Sequence, residues 1–124
     1  GEEFKTSAQS EAVTRGGLLR IAEQKLRTGD IRQTRVLLER IELNYPEQKL
    51  EGLYRYLRGE ARRSSGRNEL AIRDFEVLLQ LRQWAGYRPN ALLGIADSHY
   101  RMGDLDKAGQ WLKELKLYGR RQNE

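Results

Sequence analysis

The sequence contains no cysteine among its 124 residues. That removes disulfides, thiolate nucleophiles and Cys-based zinc sites together, and it leaves the redox compartment open. Histidine occurs once, at His99. A lone His on an apolar helix face reads as a packed core residue, and without a second one no transition-metal site is expected. Nor can a Ser–His–Asp set be built around an inward His99. Neither a P-loop nor a G-x-G-x-x-G between strand and helix is present, so an enzyme has little support and no cofactor is expected. No apolar stretch approaches the roughly 18 residues that span a bilayer. Only two prolines occur, Pro46 and Pro89, and no Val/Ile/Thr-rich alternation marks a strand. The chain begins at Gly1 rather than Met, which reads as a processed or trimmed product. No compartment is legible, and cytoplasm and periplasm both remain compatible.

Charge of one sign is also scarce. The net charge is +5, from 23 basic and 18 acidic residues, but the signs interleave and basic runs stop at pairs such as Arg62-Arg63 and Arg120-Arg121. This is not the basic block of a nucleic-acid tail, and nucleic acid is disfavoured as a partner.

What is present is helical periodicity. Leu18, Ile21, Ala22 and Leu26 form one stripe, and Val36, Leu37, Leu38, Ile41 and Leu43 a second. Leu50, Leu53, Tyr54, Leu57 and Ala61 form a third, and Leu70, Phe75, Leu78, Leu79 and Leu81 a fourth. Leu92, Ile95, Ala96 and His99 mark a fifth, and Leu105, Ala108, Leu112 and Leu115 a sixth. Six amphipathic stretches predict six helices. Gly29, Gly66 and Gly103 are expected to stop the first, third and fifth helices, and Gly119 the last. Asp30, Asn68 and Asp104 are placed to cap the helices that follow, and Pro46 and Pro89 to open helices.

Those three glycines recur every 37 residues. The same step relates small residues (Ala22, Gly59, Ala96; Thr34, Ala71, Ala108) and large apolar ones (Leu38, Phe75, Leu112; Ile41, Leu78, Leu115). Small positions let the two helices of a hairpin approach, and large ones fill the space between stacked hairpins. The expected units are 13–45, 46–84 and 85–119. Residues 1–12 form an N-terminal extension able to join the first helix, and 120–124 a tail.

The runs Gly59-Glu60-Ala61 to Gly66 with Ala71, Phe75 and Leu78, and Ala96 to Gly103-Asp104 with Ala108, Leu112 and Leu115, resemble the tetratricopeptide repeat (TPR). Ala22, Gly29-Asp30, Leu38, Ile41 and Pro46 extend the resemblance to the first copy. It covers about residues 15–118. It implies an all-α, right-handed α-solenoid of three TPR-like hairpins, although the usual repeat is about three residues shorter. Two of the family's aromatic positions hold Leu18, Arg55 and Leu92, and Lys25, Arg62 and His99. Buried unpaired arginines would be very costly. The middle helix is therefore expected to be rotated, with Tyr54, Leu57 and Ala61 inward.

The resemblance also implies a concave groove lined by first helices. Its rows would be Leu19, Tyr56 and Leu93; Glu23, Glu60 and Asp97; and Leu26, Arg63 and Tyr100. Such a groove suits another protein's extended or helical segment, with apolar anchors and a Lys or Arg. The alternative is a solvated face with its own counter-ions, Glu23 to Arg27 and Asp97 to Arg101. If the middle helix rotates, Arg55 or Gly59 should replace Tyr56 and Glu60. Leu19 and Glu23 stand where chaperone-tail binders carry clamp residues, and Glu23 would repel an acidic tail. Arg55, Arg58 and Arg62, at i, i+3 and i+7, offer either a stripe for an acidic partner or, by default, a solvated face with Glu51 pairing Arg55. Trp111, Leu112, Leu115 and Tyr118 on the last helix suggest an interface, with a homo-oligomer as one outcome. The leading expectation is a protein-binding scaffold. A self-associating module is the alternative, and an RNA-binding helical repeat ranks third.

Overall fold

The structure, a computed structural model, describes residues 16–47 and 51–123. Among these it is all-helical, with six α-helices and no strand: α1 Gly17–Arg27, α2 Ile31–Asn44, α3 Gly52–Ser64, α4 Asn68–Leu78, α5 Arg88–Arg101 and α6 Leu105–Gln122. A 3₁₀ segment, Arg82–Tyr87, leads into α5, whose first turn holds Pro89. The helices pair as three hairpins, α1/α2, α3/α4 and α5/α6.

The hairpin turns are one motif used three times. Gly29, Gly66 and Gly103 all adopt positive φ, between 80° and 83°. At the first turn Gly29 N–H donates to Leu26 and Asp30 N–H to Lys25, at 3.0 and 2.8 Å. The same pair of bonds follows Gly66 and Gly103. This is the Schellman arrangement, which satisfies carbonyls that a helix end leaves open and requires a left-handed residue. Asp30 then accepts from Gln33 N–H, and Asp104 from Lys107 N–H, so both cap as expected. The middle turn differs. Arg67 occupies the N-cap with no side-chain bond, and Asn68 lies one residue inside the helix, its amide donating back to Gly66.

The first helices of successive hairpins touch, α1 against α3 and α3 against α5. Among the described residues the backbones of α2 and α4, and of α4 and α6, do not approach within 8 Å. The stack is thus tight on the first-helix side and splayed on the second-helix side. One core cluster holds Leu18, Leu19, Ala22, Leu37, Leu38, Ile41, Tyr54, Leu57 and Ala61; a second holds Ala71, Ile72, Phe75, Leu78, Ala91 and Ile95. Phe75 is fully buried between Gly59 and Gly94. A Cβ at either glycine would sit 2.7 or 2.6 Å from its ring.

Several stripe residues fall outside the core. Val36, Leu43, Leu70, Leu81 and Leu105 are exposed, because each lies at a stripe's edge or beyond its helix's packed face. Pro46 lies in a short 3₁₀ turn after α2. Leu50 lies outside the described residues. Gly119 does not stop the last helix, which runs to Gln122; without positive φ, glycine is merely a weak helix former.

Candidate functional site

At 100° per residue, α3 divides its surface into three faces. Tyr54, Leu57 and Ala61 point into the core, fully or almost fully buried, as the rotated-helix expectation required. Tyr56, Glu60 and Arg63 occupy the second face. Arg55, Arg58 and Arg62 occupy the third.

The second face meets α5 in a concave pocket of about 380 Å³, lined by Tyr56, Glu60, Arg63, Asn90, Leu93, Gly94 and Asp97. Tyr56 and Glu60 therefore stay on the first-helix surface. The replacement of these residues by Arg55 or Gly59 does not occur, since Gly59 packs on Phe75 and Arg55 turns to Asp74. Arg63 crosses the pocket, donating to Glu60 at 2.6 Å and to Asp97 at 2.7 Å, while its Nε is buried without a partner. Asp97 also accepts from Arg101 at 2.7 Å. Burial opposes ionisation of Asp97, but the hydrogen bonds from Arg101 and Arg63 hold its carboxyl below the ordinary value. Burial, reinforced by Glu60, raises the Tyr56 hydroxyl. The Tyr56 ring lies 5.9 Å from that of Tyr87. Tyr87 comes from the 3₁₀ segment, as Trp84 does, and Trp84 fits against Gly52.

The other groove candidates are placed less uniformly. Leu19 is 1% exposed and belongs to the core, so it cannot present a surface to a ligand. Leu26 is half-buried against the same core. Glu23 is half-buried and pairs with Arg27 at 3.5 Å. Leu93 and Tyr100 are exposed. Asn90 and Gly94 were not singled out from sequence. Their pocket role depends on α5 meeting α3, and no local pattern carries that information.

The third face of α3 overturns the default reading of its arginines. They neither lie on a solvated face nor leave Arg55 to Glu51. All three converge on Asp74 of α4, a carboxylate 1% exposed. Arg58 donates from Nε and Nη2 (Nη2 at 2.6 Å), Arg62 from Nη1 at 2.9 Å, and Arg55 stands at 3.5 Å. Glu42 of α2 completes the network: the Tyr54 hydroxyl donates to it, Arg58 lies 3.6 Å away, and the Arg58 guanidinium stacks over the Tyr54 ring. Burial works against the Arg58 charge, yet Asp74 more than compensates and raises its pKa. Burial and the bond to Glu42 raise that of the Tyr54 phenol. Partnered this way, the arginines occupy positions that uncompensated charge could not.

On α6, Trp111, Leu115 and Tyr118 are half-buried and Leu112 is 48% exposed. The tetratricopeptide repeat family model matches residues 90–118, which span α5 and most of α6. That segment is similar to a tetratricopeptide repeat. No curated protein and no solved structure matches the chain. The similarity suggests a protein–protein interaction module with protein partners, and that family is generally non-catalytic. Among the described residues no helix is long and apolar enough to cross a membrane.

Proposed function

We propose that the chain is a scaffold that binds a segment of a partner protein on its first-helix surface, within a larger assembly. The observation that carries this reading is the pocket between α3 and α5. It combines an aromatic ring (Tyr56, beside Tyr87), an exposed leucine (Leu93) and carboxylates (Glu60, Asp97) in one concavity. An apolar anchor would rest on the Tyr56–Leu93 floor, and a Lys or Arg would compete with Arg63 for Asp97. The three hairpins are read as repeats over 13–45, 46–84 and 85–119, extended by the last turn of α6, and winding as a right-handed solenoid. The test is affinity capture of the native partner with wild-type chain and with Asp97→Lys. The charge reversal should weaken capture about tenfold while helicity is retained. Equal capture by both chains would overturn the groove assignment.

A second reading has its own observation. Leu38 and Phe75 are buried by the next hairpin, but their repeat equivalent Leu112 is not. Self-association through α6 would cover it. Light scattering at tens of micromolar (about the range of a weak dimer) should then give twice the monomer mass, and a monomer would exclude this reading.

A further inference from the structure

The splay between second helices leaves a notch of about 160 Å³ on the side of α3 away from the groove pocket. It is lined by Arg35, Glu39 and Glu42 of α2, Arg58 and Arg62 of α3, and Arg67 of the middle turn. The space corresponds to roughly five waters. Its charge is unbalanced. Arg35, Arg55, Arg58, Arg62 and Arg67 converge on it or on the carboxylate behind it, against Glu39, Glu42 and Asp74, an excess of two positive charges. Asp74 already accepts from Arg58 through both oxygens and from Arg62 through one. It is saturated, while Arg62 spends one of its two terminal nitrogens on it. Among the described residues, no carboxylate stands within ion-pair distance of Arg35 or Arg67. Arg35 and Arg67 are exposed at the mouth, and Arg58 and Arg62 are half-buried behind them; a cluster sharing too few carboxylates gains from a further oxyanion, and planar N–H pairs suit one with several acceptor oxygens.

A second observation singles out Arg67. In the other two turns its position is Asp30 or Asp104, and each caps the following helix. Arg67 has the same backbone conformation (φ −88°, ψ 64°, against −85°, 77° for Asp30) and makes no cap. The middle repeat thus forgoes a stabilising residue and carries a cation at the mouth of the notch.

We infer that this notch binds a dianionic oxyanion, specifically a phosphorylated serine or threonine of a partner protein, held by Arg35 and Arg67 at the mouth and by Arg58 and Arg62 at the floor. A dianion matches the excess charge, whereas a carboxylate leaves half of it unmet. The site is separate from the groove pocket and does not depend on that reading.

The experiment follows the arginine Nε–Hε resonances by NMR while titrating inorganic phosphate, a short phosphoserine peptide and its glutamate counterpart, each against sodium chloride at matched ionic strength. Arg58 and Arg62 should shift saturably with phosphate and with the phosphopeptide, and about tenfold more weakly with the glutamate peptide. Arg67→Asp should lower phosphopeptide affinity at least about tenfold without lowering the melting temperature, since it restores a cap. Arg35→Gln should weaken it in the same direction, and Asp97→Lys should leave it unchanged. The proposal is overturned by shifts no larger than those in chloride, by equal binding of the glutamate peptide, by phosphate binding without phosphopeptide binding, or by wild-type affinity in Arg67→Asp.

Discussion

Phe75 lies in a slot that exists because Gly59 and Gly94 lack side chains on either side of it. Its ring cannot swing away from an added methyl, because the opposite glycine backbone stops it. Helix propensity favours alanine over glycine by about 1 kcal/mol, but overpacking a tight core costs about 1–3 kcal/mol. Gly94→Ala should therefore lower stability by about 1 kcal/mol. Gly109→Ala, where an added Cβ meets nothing within 4 Å, should raise it by about the same amount. Denaturant unfolding of the two variants decides this, and stabilisation by both would show that the Phe75 slot is slack. Asp74 is the other residue on which much rests. Replacing it by asparagine leaves three guanidinium groups facing one another with no central charge, and losing one partner of a buried ion cluster costs about 3–5 kcal/mol. An Asp74→Asn chain melting as high as wild type would mean that the arginines relax into solvent freely.

At the scale of the element, the hairpin turn was the most legible feature. A glycine every 37 residues, followed by an aspartate in the first and third turns, states both the left-handed stop and the cap, because both are local chemistry. Where the local rule was incomplete, the reading slipped. Asn68 looked like a cap but sits a residue late, and Gly119 looked like a stop but has helical neighbours on both sides. The arginine stripe was visible at i, i+3 and i+7. Its partner was not, since Asp74 lies 12 to 19 residues away on another helix and is flanked by nothing that marks it. Tyr56, Glu60, Arg63, Leu93 and Asp97 could be aligned by the repeat, but Leu19 could not be recognised as core from its column alone. The turn itself offers a direct test. Arg67→Asp should stabilise the protein by about 1 kcal/mol, the ordinary worth of an N-cap, seen as a higher urea midpoint at unchanged slope. A lower midpoint would show that Arg67 contributes more to the notch than a cap contributes to α4.

For the molecule as a whole, the question is what holds one hairpin to the next. The first and second hairpins are joined by the Tyr54–Glu42–Arg58 contacts and a continuous apolar cluster. The second and third are joined by Phe75 against Gly94 and, across the groove, by Arg63 to Asp97. That last bridge gives the stack an acid sensitivity with a definite sign. The Asp97 carboxyl is held below its ordinary value of 3.8 by Arg101 and Arg63, against the opposing effect of burial. In the unfolded chain it titrates near about 4. Its stabilising contribution is therefore complete above that value and is lost as pH falls through the lower, folded one. Wild type should consequently be more stable than Asp97→Asn at about pH 6, and the gap should close as the pH falls through the lowered, folded value. Every other carboxylate is common to the two chains, so the difference between them isolates Asp97 where an absolute melting curve would not. Thermal melts of both proteins across that range measure it. A gap that stays constant with pH would mean that Asp97 contributes through packing and not through charge, and that the bridge between α3 and α5 is replaceable by any side chain of its shape.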